Sequence, residues 1–262
     1  VAGSAVVGDS EEAIRNEVNR NADVGANFIK VRIDDDLGVT QKLSRSLFEV
    51  LVDQAHRRRL PVAVHLYYLD DAKFMLRTEA DIIVHSVRDL PVDLEFIDMM
   101  TASDTCYIPT LTREVSTYVY ESVPDFFEDP YFLKEVEPAI LEQLSSPARM
   151  SQVAGSRSAQ IYKAQLPTAM DNVGTLHREG IRIAMGTDTG PPARFQGYFE
   201  HMELRMMVDA GLSPHDAIRA STGVAAECIG MGDIGTLEPG RWGDFSILTE
   251  DPVADIRNSK SI

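Results

Sequence analysis

The stretch NFIKVRIDDD, Asn27–Asp36, is the part of the sequence from which the fold can be worked out. Its apolar residues at positions 28, 29, 31 and 33 form a run of strand length. Lys30 lies in the middle of that run. Because a lysine is costly to bury unless it is paired or chemically altered, Lys30 needs a specific partner or a modification.

Short apolar strands and helical stretches alternate along the chain. Strands are predicted near residues 28–33, 61–66, 81–86, 105–110 and 181–187, with a long helical region between about 122 and 179. This alternation is typical of parallel β/α units. A complete eightfold barrel needs about 250 residues, which the 262-residue chain has, but only these five strands are predicted.

The composition excludes several classes of partner. The net charge is −16 at pH 7, whereas binding to nucleic acid or to an anionic membrane needs a basic surface. No apolar run approaches the roughly 18 residues of a membrane span. Cys106 and Cys228 are too few for a disulfide framework, which favours a reducing compartment, and we expect a cytoplasmic protein.

Ionisable side chains recur at the predicted carboxyl ends of the strands. They are Lys30, His65 in VAVHLYY, His85 in DIIVHSV and Asp188 in MGTDTG. In parallel β/α folds, side chains from several strands converge at that end of the sheet. Two imidazoles, a lysine and an aspartate together suit a divalent metal, so we predict a metal site there.

Each of these residues also has an ordinary structural interpretation. A histidine at a strand end often only satisfies local hydrogen bonds, a lysine in a strand can point to solvent, and an aspartate before Thr-Gly commonly forms a turn. Four such residues at four strand ends of one chain fit those separate interpretations poorly. The joint metal-site hypothesis is therefore the one we carry forward.

The order of these motifs resembles the amidohydrolase superfamily, in its imidazolonepropionase-like and prolidase-like branch. The matching features are FIKVRID, VAVHLYY, IIVHSVRDLPVD, GTDTG and the tail GDIGTLEPGRWGDFSIL. The resemblance implies an α/β fold that is a partial TIM-like (β/α) barrel, with strands 4–8 of eight. We therefore predict a partial barrel over residues 1–230 and, over 231–262, the C-terminal β segment of a small composite β-domain.

The resemblance also implies the chemistry. In the family, the lysine that Lys30 matches is carboxylated and bridges two metals, while His65 and His85 bind the second metal. Asp188 binds the first metal and takes a proton from an activated water, which attacks an amide carbonyl. This implies a metal-dependent hydrolase of C–N bonds in amides, peptides or cyclic amides, with one or two divalent cations, zinc first.

The family's His-x-His motif is absent from this sequence. The six histidines are His56, His65, His85, His177, His201 and His215, and no two are separated by one residue. The alternative prediction is therefore a truncated, catalytically impaired amidohydrolase remnant that oligomerises and binds a single metal. A partial barrel also has open edges, so we expect a homo-oligomer formed through them.

Three further residues are candidates for binding a small-molecule or dipeptide-like substrate. Tyr67 lies two residues after His65, Arg113 follows a predicted strand and suits a carboxylate, and His201 lies on a helix beyond Asp188. For Tyr67 the alternative is packing at the barrel rim. The acidic run at 34–36 is predicted to be a solvated loop.

Overall fold

A computed structural model describes residues 9–262. The strands are β1 (Ile29–Arg32), β2 (Val62–His65), β3 (Ile82–Val84) and β4 (Cys106–Ile108). The helices are α1 (Glu11–Asp23), α2 (Arg45–Arg57), α3 (Leu69–Arg77), α4 (Leu94–Thr101), α5 (Leu111–Tyr118), α6 (Pro130–Leu133), α7 (Pro138–Leu144), α8 (Pro147–Ala154), α9 (Arg157–Arg178), α10 (Tyr198–Asp209), α11 (Pro214–Ser221) and α12 (Gly223–Cys228). Short 3-10 helices cover Val119–Glu121, Asp125–Glu128 and Ile256–Lys260.

The four strands form one sheet in the order β1-β2-β3-β4, and a helix separates each strand from the next. The pairs β1–β2 and β2–β3 are parallel, with Arg32 opposite His65 and His65 opposite Val84. Parallel neighbours joined by helices are the β/α units that the sequence predicted. The mixed α/β fold with a parallel sheet confirms the predicted partial barrel.

The described residues divide into two compact units, and the first ends at Tyr107. Within it, Ser10 caps α1 and Ser44 caps α2, so both helices begin at a serine whose side chain accepts a backbone N–H. Arg15 of α1 contacts Asp53 of α2 at 3.0 Å. Buried apolar residues of α2 and α3 include Phe48 and Phe74, whose rings lie 5.6 Å apart.

The second unit runs from Ile108 to Ile262 and has an aromatic core. Its members are Tyr120, Phe126, Phe127, Phe132 and Phe199, together with the apolar residues Leu144, Val153 and Ala159. Most of the aromatic pairs meet edge to face, with Phe126 and Phe132 at 5.0 Å and 87°. That geometry is favourable for aromatic rings beyond the area they bury.

A fully buried carboxylate in the second unit caps the start of α5. The backbone N–H groups of Leu111 and Thr112 donate to Glu203 at 2.7 Å each, and the Thr112 hydroxyl donates at 2.7 Å. Burial raises the pKa of Glu203 to about 7, although the hydrogen bonds from Thr112 and Leu111 oppose that rise. The side chain satisfies N–H groups that a helix start leaves without helical partners.

The fifth predicted strand, at residues 181–187, is wrong. Among the described residues, this segment contains only an isolated bridge residue at Ile183. The backbone N–H of Met185 donates to the carbonyl oxygen of Ala220, which belongs to α11. A strand requires a ladder of bonds to another strand, and here a helix supplies the acceptor instead.

The short strands predicted within the tail are also not formed, because residues 231–262 contain only turns, extended segments and the last 3-10 helix. Large apolar side chains of the tail remain exposed, among them Trp242 at 66%, Phe245 at 68% and Ile247 at 75%. An extended segment becomes a strand only when another strand accepts and donates its hydrogen bonds. The assignment of this tail to a composite β-domain stays a prediction.

Two sequence expectations about environment meet different outcomes. In the part of the chain that the structure describes, no helix has the length and apolar content that crossing a bilayer requires. The cysteine argument for a reducing compartment loses its basis, because no described cysteine is a free thiol.

Candidate metal-binding site

His65 and His85 lie side by side at the carboxyl ends of neighbouring parallel strands. His65 is the last residue of β2, and His85 directly follows β3. Nδ1 of His65 lies 2.9 Å from Nε2 of His85, and the rings meet edge to face at 76°. His85 is fully buried and has a φ of 76°, an uncommon backbone conformation for a residue with a side chain. Two ring nitrogens at the ends of different strands therefore face each other.

The spacing of these nitrogens is close to, but shorter than, that of two ligands of one cation. Two imidazole nitrogens bound to one tetrahedral zinc at about 2.0–2.1 Å each lie about 3.3 Å apart. The observed 2.9 Å is the distance of a hydrogen bond between them. To hold one cation the two nitrogens would have to separate by about 0.4 Å, and the proton between them would have to move to another nitrogen or be released to solvent.

Asp34 approaches the ring nitrogen of His65 that does not face His85. Its carboxylate is 5% exposed, and Oδ2 lies 3.0 Å from Nε2 of His65. Oδ1 accepts from Nε of Arg32 at 2.6 Å and from the backbone N–H of Asp36 at 3.1 Å. Burial would raise the pKa of Asp34, but the approach of His65 and the hydrogen bonds from Arg32 and the Asp36 backbone lower it well below its usual range.

Lys30 is exposed, so the expectation that it is buried is wrong for this chain. The residue lies on β1, which is the outer strand of the described sheet, opposite Ala63 of β2. Because side chains alternate along a strand and Arg32 pairs with His65, Lys30 and Arg32 share the sheet face of His65. An edge position leaves one side of a residue uncovered, which explains the exposure.

Of the four predicted metal ligands, only His65 and His85 are seen to meet. Across residues 9–262, no three His, Cys, Asp or Glu side chains converge as a metal-binding group. Asp188, in the second unit, is exposed and has a φ of 56°. Its carboxylate pairs with the guanidinium of Arg194, which also donates to the Asp188 carbonyl oxygen and, through Nε, to Ser116.

Tyr67 and Arg113 both lie in packed surroundings. Tyr67 is 4% exposed, and the Arg88 guanidinium lies 4.7 Å from the centre of its ring. Arg113 is 8% exposed, with Nη1 at 3.0 Å from Glu114 Oε1 and its guanidinium 4.7 Å from the Tyr162 ring. Burial of Tyr67 favours the packing interpretation, and the Glu114 contact already occupies part of the Arg113 fork.

His201 lines a cavity of about 660 Å³ within the second unit. Nε2 of His201 lies 3.1 Å from the Tyr131 hydroxyl, and Nδ1 lies 2.9 Å from the Ser259 hydroxyl. Burial, with the nearby charge of Lys260, lowers the pKa of His201. The side chain thus lines this cavity, with each ring nitrogen beside a neighbouring hydroxyl, and its role in substrate binding stays a prediction.

The family model of the amidohydrolase family matches residues 4–261. The chain belongs to the amidohydrolase family. The match spans nearly all of the sequence, so the family assignment rests on the whole chain and not on the strand-end motifs alone.

Several solved structures resemble this chain in fold. A Xaa-Pro dipeptidase with bound methionine in its active site is 21% identical with a TM-score of 0.71, over 97% of this chain and 56% of that one. A. niger ochratoxinase is 22% identical with a TM-score of 0.70, over 99% of this chain and 53% of that one. Molinate hydrolase is 19% identical with a TM-score of 0.69, over 96% of this chain and 52% of that one. This amidohydrolase chain therefore spans about half the length of the structures it matches.

One residue of this candidate site was missed by the sequence reasoning. Asp34 belongs to an acidic run that was predicted to be solvated, yet it is buried against His65. The available signal was position, since Asp34 lies two residues after β1 and His85 one residue after β3. A charged residue at that end of a parallel strand faces the same edge as the other candidates.

Proposed function

We propose that this amidohydrolase chain carries part of the active site of a metal-dependent hydrolase of C–N bonds in amides, peptides or cyclic amides. The observation that supports it is the approach of His65 Nδ1 to His85 Nε2 at 2.9 Å, at adjacent strand ends. Two converging imidazole donors in a parallel β/α fold are suited to a catalytic cation with an open position.

The proposed roles follow from donor chemistry. His65 and His85 would hold the cation through their nitrogen lone pairs, and Lys30, on the same sheet face as His65, would supply a third ligand once carboxylated. A bound divalent cation, of which zinc is the first candidate, would lower the pKa of a water molecule and polarise the carbonyl of the substrate amide. Asp188, assigned from the family resemblance alone, would bind the cation, accept the proton of that water at its carboxylate and pass it to the leaving nitrogen.

The proposed substrate is a small amide or a dipeptide-like molecule. Relatives of the fold include proteins described as a Xaa-Pro dipeptidase and an ochratoxinase. Tyr67 and His201 remain proposed substrate contacts. Arg113 is the weakest of the three, because binding a substrate carboxylate would require it to give up part of its contact with Glu114.

The experiment combines metal analysis with turnover. The purified chain is loaded with zinc and bicarbonate and assayed against Xaa-Pro dipeptides, N-acyl amino acids and cyclic amides, before and after chelation. We expect chelator-sensitive hydrolysis of at least one class, and its loss in H65A and H85A but not in H215A, whose side chain is 64% exposed. Hydrolysis that survives in both H65A and H85A would rule out the proposal.

A second candidate is the catalytically impaired remnant that binds one metal. It is favoured by the convergence of only two ligands where three are needed, in the part of the chain that the structure describes. The same experiment separates the two functions. Zinc that depends on His65 and His85, without turnover of any substrate class, would support the remnant.

Association and location complete the proposal. We propose a homo-oligomer formed through the open edge of the sheet, where β1 has a strand neighbour on one side only in the described part of the chain. The excess of acidic residues gives no reason to expect nucleic acid or anionic membrane as a partner. A cytoplasmic location stays a prediction.

A further inference from the structure

The two oxygens of the Asp34 carboxylate have different neighbours. Oδ1 accepts from Arg32 Nε at 2.6 Å and from the Asp36 backbone N–H at 3.1 Å. Those two donors fix the plane of the carboxylate. Oδ2 lies 3.0 Å from Nε2 of His65, at ion-pair distance but outside the angle of a hydrogen bond. The side chain is buried at 5% exposure, so this orientation is not that of a solvated surface acid.

An acceptor at Nε2 determines which His65 nitrogen carries the proton. A neutral imidazole has one N–H and one lone pair, and its tautomer is set by the partner of either nitrogen. A carboxylate oxygen at 3.0 Å repels a lone pair on Nε2 and attracts an N–H, so it favours the proton on Nε2 and leaves the lone pair on Nδ1. That lone pair faces His85, the second predicted metal ligand.

We propose that Asp34 is a positioning residue that holds His65 as the Nε2–H tautomer with Nδ1 directed toward His85. The purpose of that arrangement, to prepare Nδ1 for a cation, rests on the proposed function. A carboxylate behind a metal-binding histidine orients the ring and raises its basicity, and its loss typically weakens metal affinity about 10–100-fold.

The isosteric variant D34N makes a specific prediction. Its side-chain oxygen replaces Oδ1, because Arg32 and the Asp36 N–H both need an acceptor there. The amide NH₂ then replaces Oδ2 and places its hydrogens beside Nε2 of His65, where they repel an N–H and favour a lone pair. His65 must become the Nδ1–H tautomer, which has no lone pair at the nitrogen that faces His85.

The test is ¹⁵N NMR of histidine-labelled, metal-free chain at about pH 8.5, roughly two units above the ordinary histidine pKa of about 6.5. The His65 signals are identified by their loss in H65A. We expect the Nε2–H tautomer in the wild type, the Nδ1–H tautomer in D34N, and the wild-type pattern in D35N. Asp35 is the matched control, since its carboxylate accepts from the Tyr68 hydroxyl and from the Gly38 backbone N–H.

The outcomes distinguish this inference from the proposed function. A wild-type His65 in the Nδ1–H form would overturn the inference even if D34N fails to fold, and so would a folded D34N with an unchanged tautomer. In zinc titrations we expect D34N to bind about 10–100-fold more weakly than the wild type and D35N to match it. A wild type with the expected tautomer but no zinc binding would contradict the proposed function and still support the positioning role of Asp34.

Discussion

Nδ1 of His65 faces Nε2 of His85 across 2.9 Å, although the two residues are separated by a helix in the chain. Parallel β/α topology creates this relationship, because each strand starts and ends beside its neighbour. A side chain at the end of β2 and one just after β3 then reach the same point. The contact is the structural basis of the metal site that we propose.

Lys30 gives a prediction about carbon dioxide. If its amine is carboxylated at the metal site, zinc affinity should rise when bicarbonate is added, since a carbamate is an anionic oxygen ligand. We expect K30A to lose that bicarbonate response and about tenfold in zinc affinity, a difference of about 1.4 kcal/mol. The measurement is competitive zinc titration with and without bicarbonate.

The control for Lys30 is K42A, because Lys42 pairs with Asp71 at 2.7 Å and is not a predicted ligand. An undiminished bicarbonate response in K30A, or an equal loss in K42A, would contradict carboxylation at Lys30.

Glu203 gives a prediction about pH and stability. Its pKa is about 7 in the folded chain against an ordinary value of 4.5, so the folded state holds the proton more tightly. The stabilising contribution is present in full below about pH 4.5 and is lost as pH rises toward 7. We expect the free energy of unfolding, measured by urea denaturation, to fall over that interval more steeply in the wild type than in E203Q. Equal slopes would contradict the raised pKa.

The buried pair of Arg113 and Glu114 gives a prediction about packing. Replacing Arg113 by alanine removes the guanidinium from a carboxylate that is itself 0% exposed. Breaking a buried ion pair from one side costs about 3–5 kcal/mol. We expect R113A to lose stability of that order in urea denaturation and R113M/E114Q to recover part of it. A stable R113A that fails only in substrate binding would favour the substrate role instead.

The open edge of the sheet gives a prediction about assembly. The exposed residues of β1, Lys30 and Arg32, lie on a strand with one strand neighbour in the described sheet. Backbone groups on such an edge pair readily with another chain. We expect light scattering to show dimers or larger species whose mass rises with protein concentration. A single monomeric mass throughout the concentration range would contradict the oligomer.

The sequence predicted those features that depend on local pattern. The apolar runs that became β1 to β4 are visible as strand-length segments between helical ones, and the strand-end histidines follow from that topology. The segment at 181–187 has the same kind of apolar run, but Met185 donates to Ala220. Apolar pattern reports burial, whereas a strand also needs a hydrogen-bonding neighbour, which the pattern does not reveal.

The surroundings of charged residues were harder to predict. Lys30 was expected to be buried because its neighbours in sequence are apolar, but exposure depends on what lies next to β1 in the sheet. Asp34 was expected to be solvated because it begins an acidic run, but it meets a histidine from another strand. Both errors come from contacts between residues that are distant in sequence.

The most direct test of the central claim is the zinc dissociation constant of the wild type, H65A, H85A and the double variant, measured by chelator competition. If both nitrogens bind one cation, each single variant should lose at least about 100-fold in affinity, and the double variant should lose less than the sum of the two free-energy changes. H215A should match the wild type. Wild-type zinc affinity in either H65A or H85A would contradict the account.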